Sequence, residues 1–293
     1  MSDSKAALDR IGFSTGALER GNYRQALRWL RHHSVQHAEL SALRFHELEP
    51  LIDDLDSLPL NSFTYISFHA PSAFPEDAEQ PVVELLTRVF ARNWNIIVHP
   101  DVIRRPSLWH RFGRRLLLEN MDRRKEVART ADELDVYFSE LPEARLCLDV
   151  AHARQLDTTL TVLSEIVYKF RNKLAEIHIS ELDSHCAHHL MSFTAVTDYR
   201  QLAAHFHSYL PIIIESSLQG VANEVRLNEL LSAQSALRHL PQKHQWSKTY
   251  FWLRHHVTPP ASRKRILKNQ NGKSLAHLQQ LKASKLLRLN HSN

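Results

Sequence analysis

The chain has 293 residues, of which 43% are hydrophobic, and carries a formal net charge of +5. Six glycines, with no GxGxxG and no GxxxxGK[ST] pattern, exclude the common glycine-rich loops that cradle phosphate groups. Two cysteines, Cys147 and Cys186, give no disulfide framework. The first ten residues are polar and no stretch approaches about 18 apolar residues, so we expect a cytoplasmic protein without membrane attachment.

Short apolar runs recur along the whole first part of the chain. Eight of them, spaced by roughly 20 to 37 residues, begin near Ile11, His37, Tyr65, Ile96, Arg115, Leu146, Ala175 and Ile212. Each interval accommodates a loop, a helix and a return, and helical periodicity is visible over residues 23–33, 82–91 and 158–170. Short strands that alternate with helices indicate parallel βα units. We therefore predict the α/β class and a (β/α)8 TIM barrel.

Ionisable side chains stand at the ends of these runs. Burial of such a group without a partner costs several kcal/mol, and six runs that end in this way suggest one shared polar pocket. In a (β/α)8 barrel, the active site lies where the carboxyl ends of the strands meet. Histidine and carboxylate together favour a metal such as Zn, Mn or Fe. The candidate residues are His69, His99, Glu119, Asp149, His152, His178 and Glu215.

A series of short motifs in a fixed order carries a resemblance to a known superfamily. The motifs are Phe68-His69-Ala70-Pro71, Val98-His99-Pro100, Leu118-Glu119-Asn120, Asp149-Val150-Ala151-His152, Ile177-His178 and Ile214-Glu215. Over residues 11 to 216 the chain resembles the xylose-isomerase-like barrels, which include endonuclease IV and many sugar isomerases and epimerases. The series is specific for the superfamily and much less so for one reaction.

The resemblance implies a role for each candidate. Glu119, Asp149, His178 and Glu215 match the four ligands of the single metal of the epimerases. In endonuclease IV, the carboxylate that matches Glu119 bridges two metals, and the positions that match His69 and His99 complete a second site. A third metal there uses the histidine that matches His152, together with an Asp-x-His pair in the loop after the seventh strand.

That loop admits two alignments in this chain. Asp183 and His185 have the Asp-x-His spacing. The residues after His188, which include Met191 and Ser192, agree better with those that follow the family histidine. With the second alignment, Cys186 stands where the family has aspartate. All three residues, Asp183, His185 and His188, therefore remain candidate ligands. Glu39 ends the second run, where it is either an acid behind a ligand or an ion-pair partner only.

Two catalytic interpretations and one non-catalytic interpretation follow. Two or three divalent transition-metal ions would support hydrolysis of a phosphoester, as in endonuclease IV. One ion would support isomerisation or epimerisation of a sugar or sugar phosphate, with Glu119 or Glu215 moving the proton as catalytic residue. In the third interpretation the barrel only binds. The joint presence of His69 and His99 favours the first, and the expected substrate is phosphorylated or polyhydroxylated.

Charge is distributed unevenly along the chain. Residues 231–293 contain seven lysines, five arginines and no acidic residue, whereas the first 230 residues hold 25 basic and 32 acidic side chains. We therefore predict a barrel domain over residues 1–225 and a basic, partly helical extension over 226–293. The extension either contacts nucleic acid or neutralises the chain's own acidic barrel. The oligomeric state stays open.

Overall fold

The computed structural model describes residues 10–207 and 209–237. Eight parallel strands close into a barrel in the order β1-β8-β7-β6-β5-β4-β3-β2. The strands are β1 (Ile11–Ser14), β2 (His37–Ser41), β3 (Tyr65–His69), β4 (Asn95–Val98), β5 (Leu116–Glu119), β6 (Arg145–Asp149), β7 (Leu174–Ile179) and β8 (Ile212–Ile214). Each strand begins within one residue of the run that predicted it, and the predicted (β/α)8 barrel is confirmed.

Nearly continuous apolar sequence forms these strands because helices cover the outside of the barrel and side chains fill its inside. In β4 and β5 every residue is buried. Ile97, Leu117, Cys147 and Ala175 form one buried cluster across four neighbouring strands. Truncation of a large buried side chain to alanine typically costs about 2–5 kcal/mol. Stability therefore depends on the strand interiors, and the strand ends are available for polar groups.

Helices follow most of the strands. They are α1 (Thr15–Glu19), α2 (Tyr23–His32), α3 (Leu48–Asp54), α4 (Glu79–Phe90), α5 (Pro106–Trp109), α6 (Ala131–Glu140), α7 (Val150–Leu156), α8 (Thr161–Phe170), α9 (Phe193–Leu202) and α10 (Asn223–Ala236). Short 3-10 turns occupy Phe45–Glu47, Leu55–Ser57, Leu60–Ser62, Glu76–Ala78, Pro100–Val102, His110–Arg115 and Ala203–His205. Two further strands, Glu181–Leu182 and His188–His189, pair antiparallel in the loop after β7.

The three predicted helices are present, with shifted ends. The first is α2, which ends at His32 rather than residue 33. The second, α4, begins at Glu79 because Pro81 is tolerated in a first turn. The third, α8, begins at Thr161 instead of residue 158, because the side chain of Asp157 accepts the backbone N–H groups of Thr159 and Thr161 and closes a turn there.

Gly12 allows β1 and β2 to approach closely. It pairs with His37 across the two strands, and a Cβ atom on Gly12 would lie 2.1 Å from the carbonyl oxygen of His37. Only glycine fits this position without a shift of backbone. β1 also pairs with β8, so Gly12 stands where the first and last strands close the barrel.

The last described helix, α10, belongs to the barrel. It contacts α9, β1 and β8, and its Arg226 and Glu229 are buried. The predicted boundary between residues 225 and 226 falls inside this helix. The rest of the predicted extension, 238–293, lies outside the described residues. Over the described ranges, no helix is long and apolar enough to cross a membrane.

Candidate metal centre

Glu119, at the end of β5, lies at the centre of the polar pocket. Its Oε2 atom is 3.1 Å from the Nε2 atoms of both His69 and His99. The three residues form a group whose candidate ligand atoms all lie within 4.8 Å of one another. His69 ends β3 and His99 directly follows β4, so three neighbouring strands bring them together. This is the first group.

The other oxygen of Glu119 faces a second group. Oε1 lies 3.3 Å from Nδ1 of His178, and the same nitrogen is 3.4 Å from Oε1 of Glu215. Asp149 completes this second group, which meets the same 4.8 Å limit. The carboxylate of Glu119 therefore lies between two sets of candidate ligands, one facing each of its oxygens.

A third group contains Asp149, His152 and His188. One oxygen of Asp149 accepts the backbone N–H of His152 at 2.7 Å and so caps the N-terminus of α7. The other, Oδ2, lies 3.6 Å from Nε2 of His152 and has no hydrogen-bond partner among the described residues, although it is buried. His188 comes from the loop after β7, and its ring packs against that of His152. Asp149 is thus shared by the second and third groups.

Backbone contacts fix the orientation of these side chains. Nδ1 of His69 is hydrogen-bonded to the carbonyl of Ala70 at 2.7 Å, and Nδ1 of His152 to the carbonyl of Asn120 at 2.8 Å. Such contacts set the ring orientation and leave Nε2 toward the pocket. The side chain of Asn120 also exchanges two hydrogen bonds of 2.8 Å with the backbone of Asp149 and so joins the ends of β5 and β6.

The pocket is electrostatically coupled. Burial opposes the charge on Glu119, but hydrogen bonds from His178, His69 and His99 outweigh burial and hold the pKa of this carboxyl well below its usual range. Burial likewise opposes the charge on His69, yet Glu119 raises the pKa of His69 to about 9. In the metal-free pocket, His69 is therefore protonated and Glu119 is ionised.

The remaining carboxylates and imidazoles differ in charge state. Burial raises the pKa of Asp149 to about 7 and lowers the pKa of His188 to about 4. Burial also works against the charge of Glu215, but His178 lowers the pKa of Glu215 below its usual value. His188 is therefore a neutral imidazole near pH 7, the form that binds metal.

The loop after β7 supplies His188 and not the other two candidates. His185 is 88% exposed, and the Oδ1 atom of Asp183 accepts the backbone N–H groups of His185 and Ala187. Neither side chain joins the groups formed by the described residues. Asp183 closes the tight turn of the hairpin, which turns His185 outward and His188 inward. Cys186 is buried against Gln155, with Sγ 3.1 Å from Nε2 of the glutamine.

Three acids of the site were not predicted as ligands. Glu39 and Glu176 are completely buried beneath His178 and form a further group with it. Asp122 lies 4.0 Å from Nε2 of His152 and is paired with Arg124. Glu176 precedes His178 by two residues, so the alternation of side chains along a strand predicts that both point the same way.

The donor set fits a transition metal. Nitrogen and carboxylate ligands together suit Zn, Mn or Fe better than Mg or Ca, which favour oxygen alone. Buried Oδ2 of Asp149 and Nδ1 of His99 lack hydrogen-bond partners among the described residues. Buried polar atoms are almost always paired, so the unpaired oxygen of Asp149 in a ligand group agrees with a site for a cation.

Comparison with known proteins agrees at the level of fold. No protein-family model matches the chain, and no curated protein matches it in sequence. Among solved structures, endonuclease IV from Thermus thermophilus is similar at 17% identity with a TM-score of 0.52, over 78% of this chain and 98% of that one. A xylose isomerase domain containing protein from Salmonella typhimurium is similar at 13% identity and a TM-score of 0.52, over 79% and 98%.

These similarities and the closed barrel of eight parallel strands agree with the resemblance found in the sequence. The chain has the fold of the xylose-isomerase-like TIM barrels.

Proposed function

We propose that the protein is a metal-dependent hydrolase of phosphoesters, with two or three transition-metal ions held at the strand ends. The observation that carries this proposal is the position of Glu119. Its two carboxylate oxygens face separate ligand groups, with His69 and His99 3.1 Å from one oxygen and His178 3.3 Å from the other. One carboxylate between two sets of imidazoles suits a shared ligand of two ions.

The residues divide into three ion sites. His69, His99 and Glu119 would hold one ion, and Glu119, Asp149, His178 and Glu215 a second. Asp149, His152 and His188 would hold a third. When bound, such ions polarise phosphoryl oxygens and lower the pKa of a water molecule. Asp183 and His185 take no part in this assignment.

Glu215 is the acid that we propose contacts the reacting groups. Its side chain is 11% exposed, whereas those of Glu119 and Asp149 are at most 1% exposed. Its Oε1 lies 3.4 Å from His178, and its Oε2 lies 3.9 Å from His188, so the carboxylate stands between the second and third groups. Its low pKa keeps it ionised, which suits a metal ligand that also accepts a hydrogen bond from a water molecule and orients it.

Cations near the same end of the barrel support an anionic substrate. Arg104 follows β4 and donates to the carbonyl oxygens of Val102 and Phe74; among the described residues it forms no ion pair. Arg123 follows β5 and donates to the carbonyl of Ser184. Neither guanidinium is neutralised by these contacts, so both favour a phosphorylated substrate over a neutral sugar.

The alternative is an isomerase or epimerase of a sugar or sugar phosphate. Glu119, Asp149, His178 and Glu215 already make a complete group for one ion without the first or third group. In that case His69 and His99 would contact substrate hydroxyls, and Glu119 or Glu215 would move the proton beside the carbonyl. A barrel that binds without catalysis is the remaining alternative.

Metal content and turnover distinguish these functions. The full-length protein is stripped with a chelator and reconstituted with Zn²⁺, Mn²⁺ or Fe²⁺, and bound metal is then counted by elemental analysis. Each form is assayed on a duplex with one abasic site, on a simple phosphodiester, and on ketoses and ketose phosphates. Two or three ions with phosphoester cleavage support the hydrolase. One ion with ketose turnover would replace it by the isomerase, and no ion would leave only the binding barrel.

We further propose that the basic C-terminal segment contacts nucleic acid if the substrate is nucleic acid. The segment lies outside the described residues, so only its composition supports this proposal. Twelve cations without an acid follow a stretch of 230 residues in which acids outnumber cations by 32 to 25. Such a barrel alone would repel a phosphate backbone.

A further inference from the structure

Both nitrogens of His178 face carboxylates, but on opposite sides. Nδ1 faces the pocket, 3.3 Å from Glu119 and 3.4 Å from Glu215. Nε2 faces the barrel interior, where Oε2 of Glu39 lies at 3.1 Å and Oε1 of Glu176 at 3.4 Å. The side chains of His178, Glu39 and Glu176 are all 0% exposed. Bulk water therefore does not reach Nε2, and these two acids are the carboxylates that face it; the thiol of Cys147 also lies within hydrogen-bond reach of the His178 ring.

The two interior acids are not equivalent. Glu176 already accepts hydrogen bonds on both oxygens, from the hydroxyl of Ser67 at 2.9 Å and from that of Tyr65. Glu39 accepts one from Ser41 on Oε1, at 3.2 Å, while its Oε2 has no hydrogen-bond partner among the described residues. Nε2 of His178 has no hydrogen-bond partner there either. These two unpaired atoms lie 3.1 Å apart, so of the two interior acids Glu39 has the free oxygen that can accept the Nε2–H of His178.

Glu39 is itself held in place from behind. The hydroxyl of Ser41, which donates to Glu39, is 2.6 Å from the hydroxyl of Ser14 on β1. Two hydroxyl groups in series, one on β2 and one on β1, therefore support the carboxylate that faces His178. A fully buried carboxylate with so few partners is costly, and its retention needs an explanation.

We propose that Glu39 is a positioning residue, which accepts the Nε2–H of His178 and thereby holds Nδ1 toward Glu119 and Glu215 as a metal ligand. This inference rests on the proposed metal centre. Histidine ligands commonly donate their second N–H to a carboxylate, and loss of such a partner typically weakens metal binding by about 10–100-fold. The alternative for these residues is that Glu39, Glu176 and His178 hold an ion of their own in the barrel interior.

The experiment compares Glu39→Gln, Glu39→Ala and Glu176→Gln in the full-length protein. Zn²⁺ affinity is measured by chelator competition, and ¹¹³Cd-loaded protein with ¹⁵N-labelled histidine reports which ring nitrogen of His178 couples to cadmium. We expect coupling at Nδ1 in the wild type. Glu39→Ala should weaken binding by about 10–100-fold and diminish that coupling. Glu39→Gln should recover part of both, because its amide oxygen still accepts the Nε2–H.

Glu176→Gln is the control matched to Glu39→Gln, since it also replaces one carboxylate oxygen by an amide nitrogen, but in the second interior acid. We expect it to change Zn²⁺ affinity much less than Glu39→Ala. Melting temperatures of the metal-free variants detect loss of fold, and Glu39→Gln keeps the volume of the side chain if alanine proves disruptive.

Three results would overturn the inference. The first is coupling of cadmium to Nε2 in the wild type, and the second is wild-type Zn²⁺ affinity in both Glu39 variants. The third is the loss of one whole ion in the Glu39 and Glu176 variants alike, which would indicate an ion in the barrel interior. If the proposed metal centre does not exist, the wild type would bind neither Zn²⁺ nor cadmium, and this result is distinct from the three above.

Discussion

Nδ1 of His178 lies 3.3 Å from Oε1 of Glu119, although 59 residues separate them in the sequence. Their strands, β7 and β5, are not neighbours, because β6 lies between them. The contact therefore spans the mouth of the barrel instead of following one edge of the sheet. A change at Glu119 should consequently reach ligand groups on both sides of the pocket.

Glu119→Gln should remove most of the bound metal. The wild type is expected to hold two or three ions, and an amide cannot offset the charge of two cations that share it. Elemental analysis after reconstitution measures the loss. Glu165→Gln, an exposed change on α8, serves as the control and should leave the metal content unchanged. A wild type with at most one ion would contradict the multinuclear proposal.

His188→Ala should reduce the metal content by about one ion. Its ring packs on His152 in the third group, whereas His185, three residues earlier, is 88% exposed. His185→Ala is therefore expected to keep all ions, whereas Asp183→Ala, which removes the turn that orients His188, should weaken the third site without removing a ligand. Elemental analysis of the three variants in parallel shows which residues of the loop are metal ligands. If His185→Ala also lost an ion, the loop would have the other alignment in solution.

Metal affinity should rise with pH between about 7 and 9. The pKa of His69 is raised to about 9 in the metal-free fold, from an ordinary value near 6.5, so the folded state retains a proton that the unfolded state loses. This proton stabilises the metal-free fold fully below about pH 6.5, and the contribution disappears as the pH rises through 9. Metal binding must displace the same proton.

Two measurements test this pH dependence. Melting temperatures of chelator-treated protein should fall from about pH 7 to about 9.5, while Zn²⁺ affinity rises by up to about tenfold per pH unit. His69→Gln should flatten both curves. Parallel slopes in the variant and the wild type would assign the proton to another group, with His178, whose pKa is also raised, as the next candidate.

Asp149→Asn should stabilise the metal-free protein at about pH 8 while weakening metal binding. Burial raises the pKa of Asp149 to about 7, so its charge opposes folding above that pH. Asparagine removes the charge and can still cap α7. By linkage, the rise of this pKa from 3.8 to about 7 corresponds to about 4 kcal/mol, which is the upper limit of the expected gain in the free energy of unfolding. Urea unfolding measures it, with the exposed Asp135→Asn, expected near zero, as control.

Truncation after Pro260 should weaken the binding of a duplex with an abasic site and reduce its salt dependence. The deletion removes eight lysines and arginines and no acid. The logarithmic slope of affinity against salt is roughly −0.9 for each phosphate contacted. Binding is measured across a salt series for both proteins. Equal slopes would remove the nucleic-acid role of the extension and favour the sugar isomerase.

The fold was predictable because buried parallel strands have continuous apolar runs, and each of the eight runs marks one strand. The strand-end candidates, from His69 to Glu215, were predictable for the same reason: the end of an apolar run gives the end of a strand. The loop after β7 was not, because a hydrogen-bonded turn at Asp183 decides which histidine faces inward. Glu176 is difficult to predict because its charge lies inside an apolar run, where only the alternation of side chains along β7 indicates that it faces the same way as His178.

Gly12 has a consequence at a distance from its own strand. A methyl group at Gly12 would collide with the backbone of His37 and would push β1 away from β2, the strand that bears Glu39. The position of Glu39 behind His178 thus depends on a close approach of two strands that only a residue without a Cβ atom permits. A residue without a functional side chain therefore helps to place an acid of the polar centre.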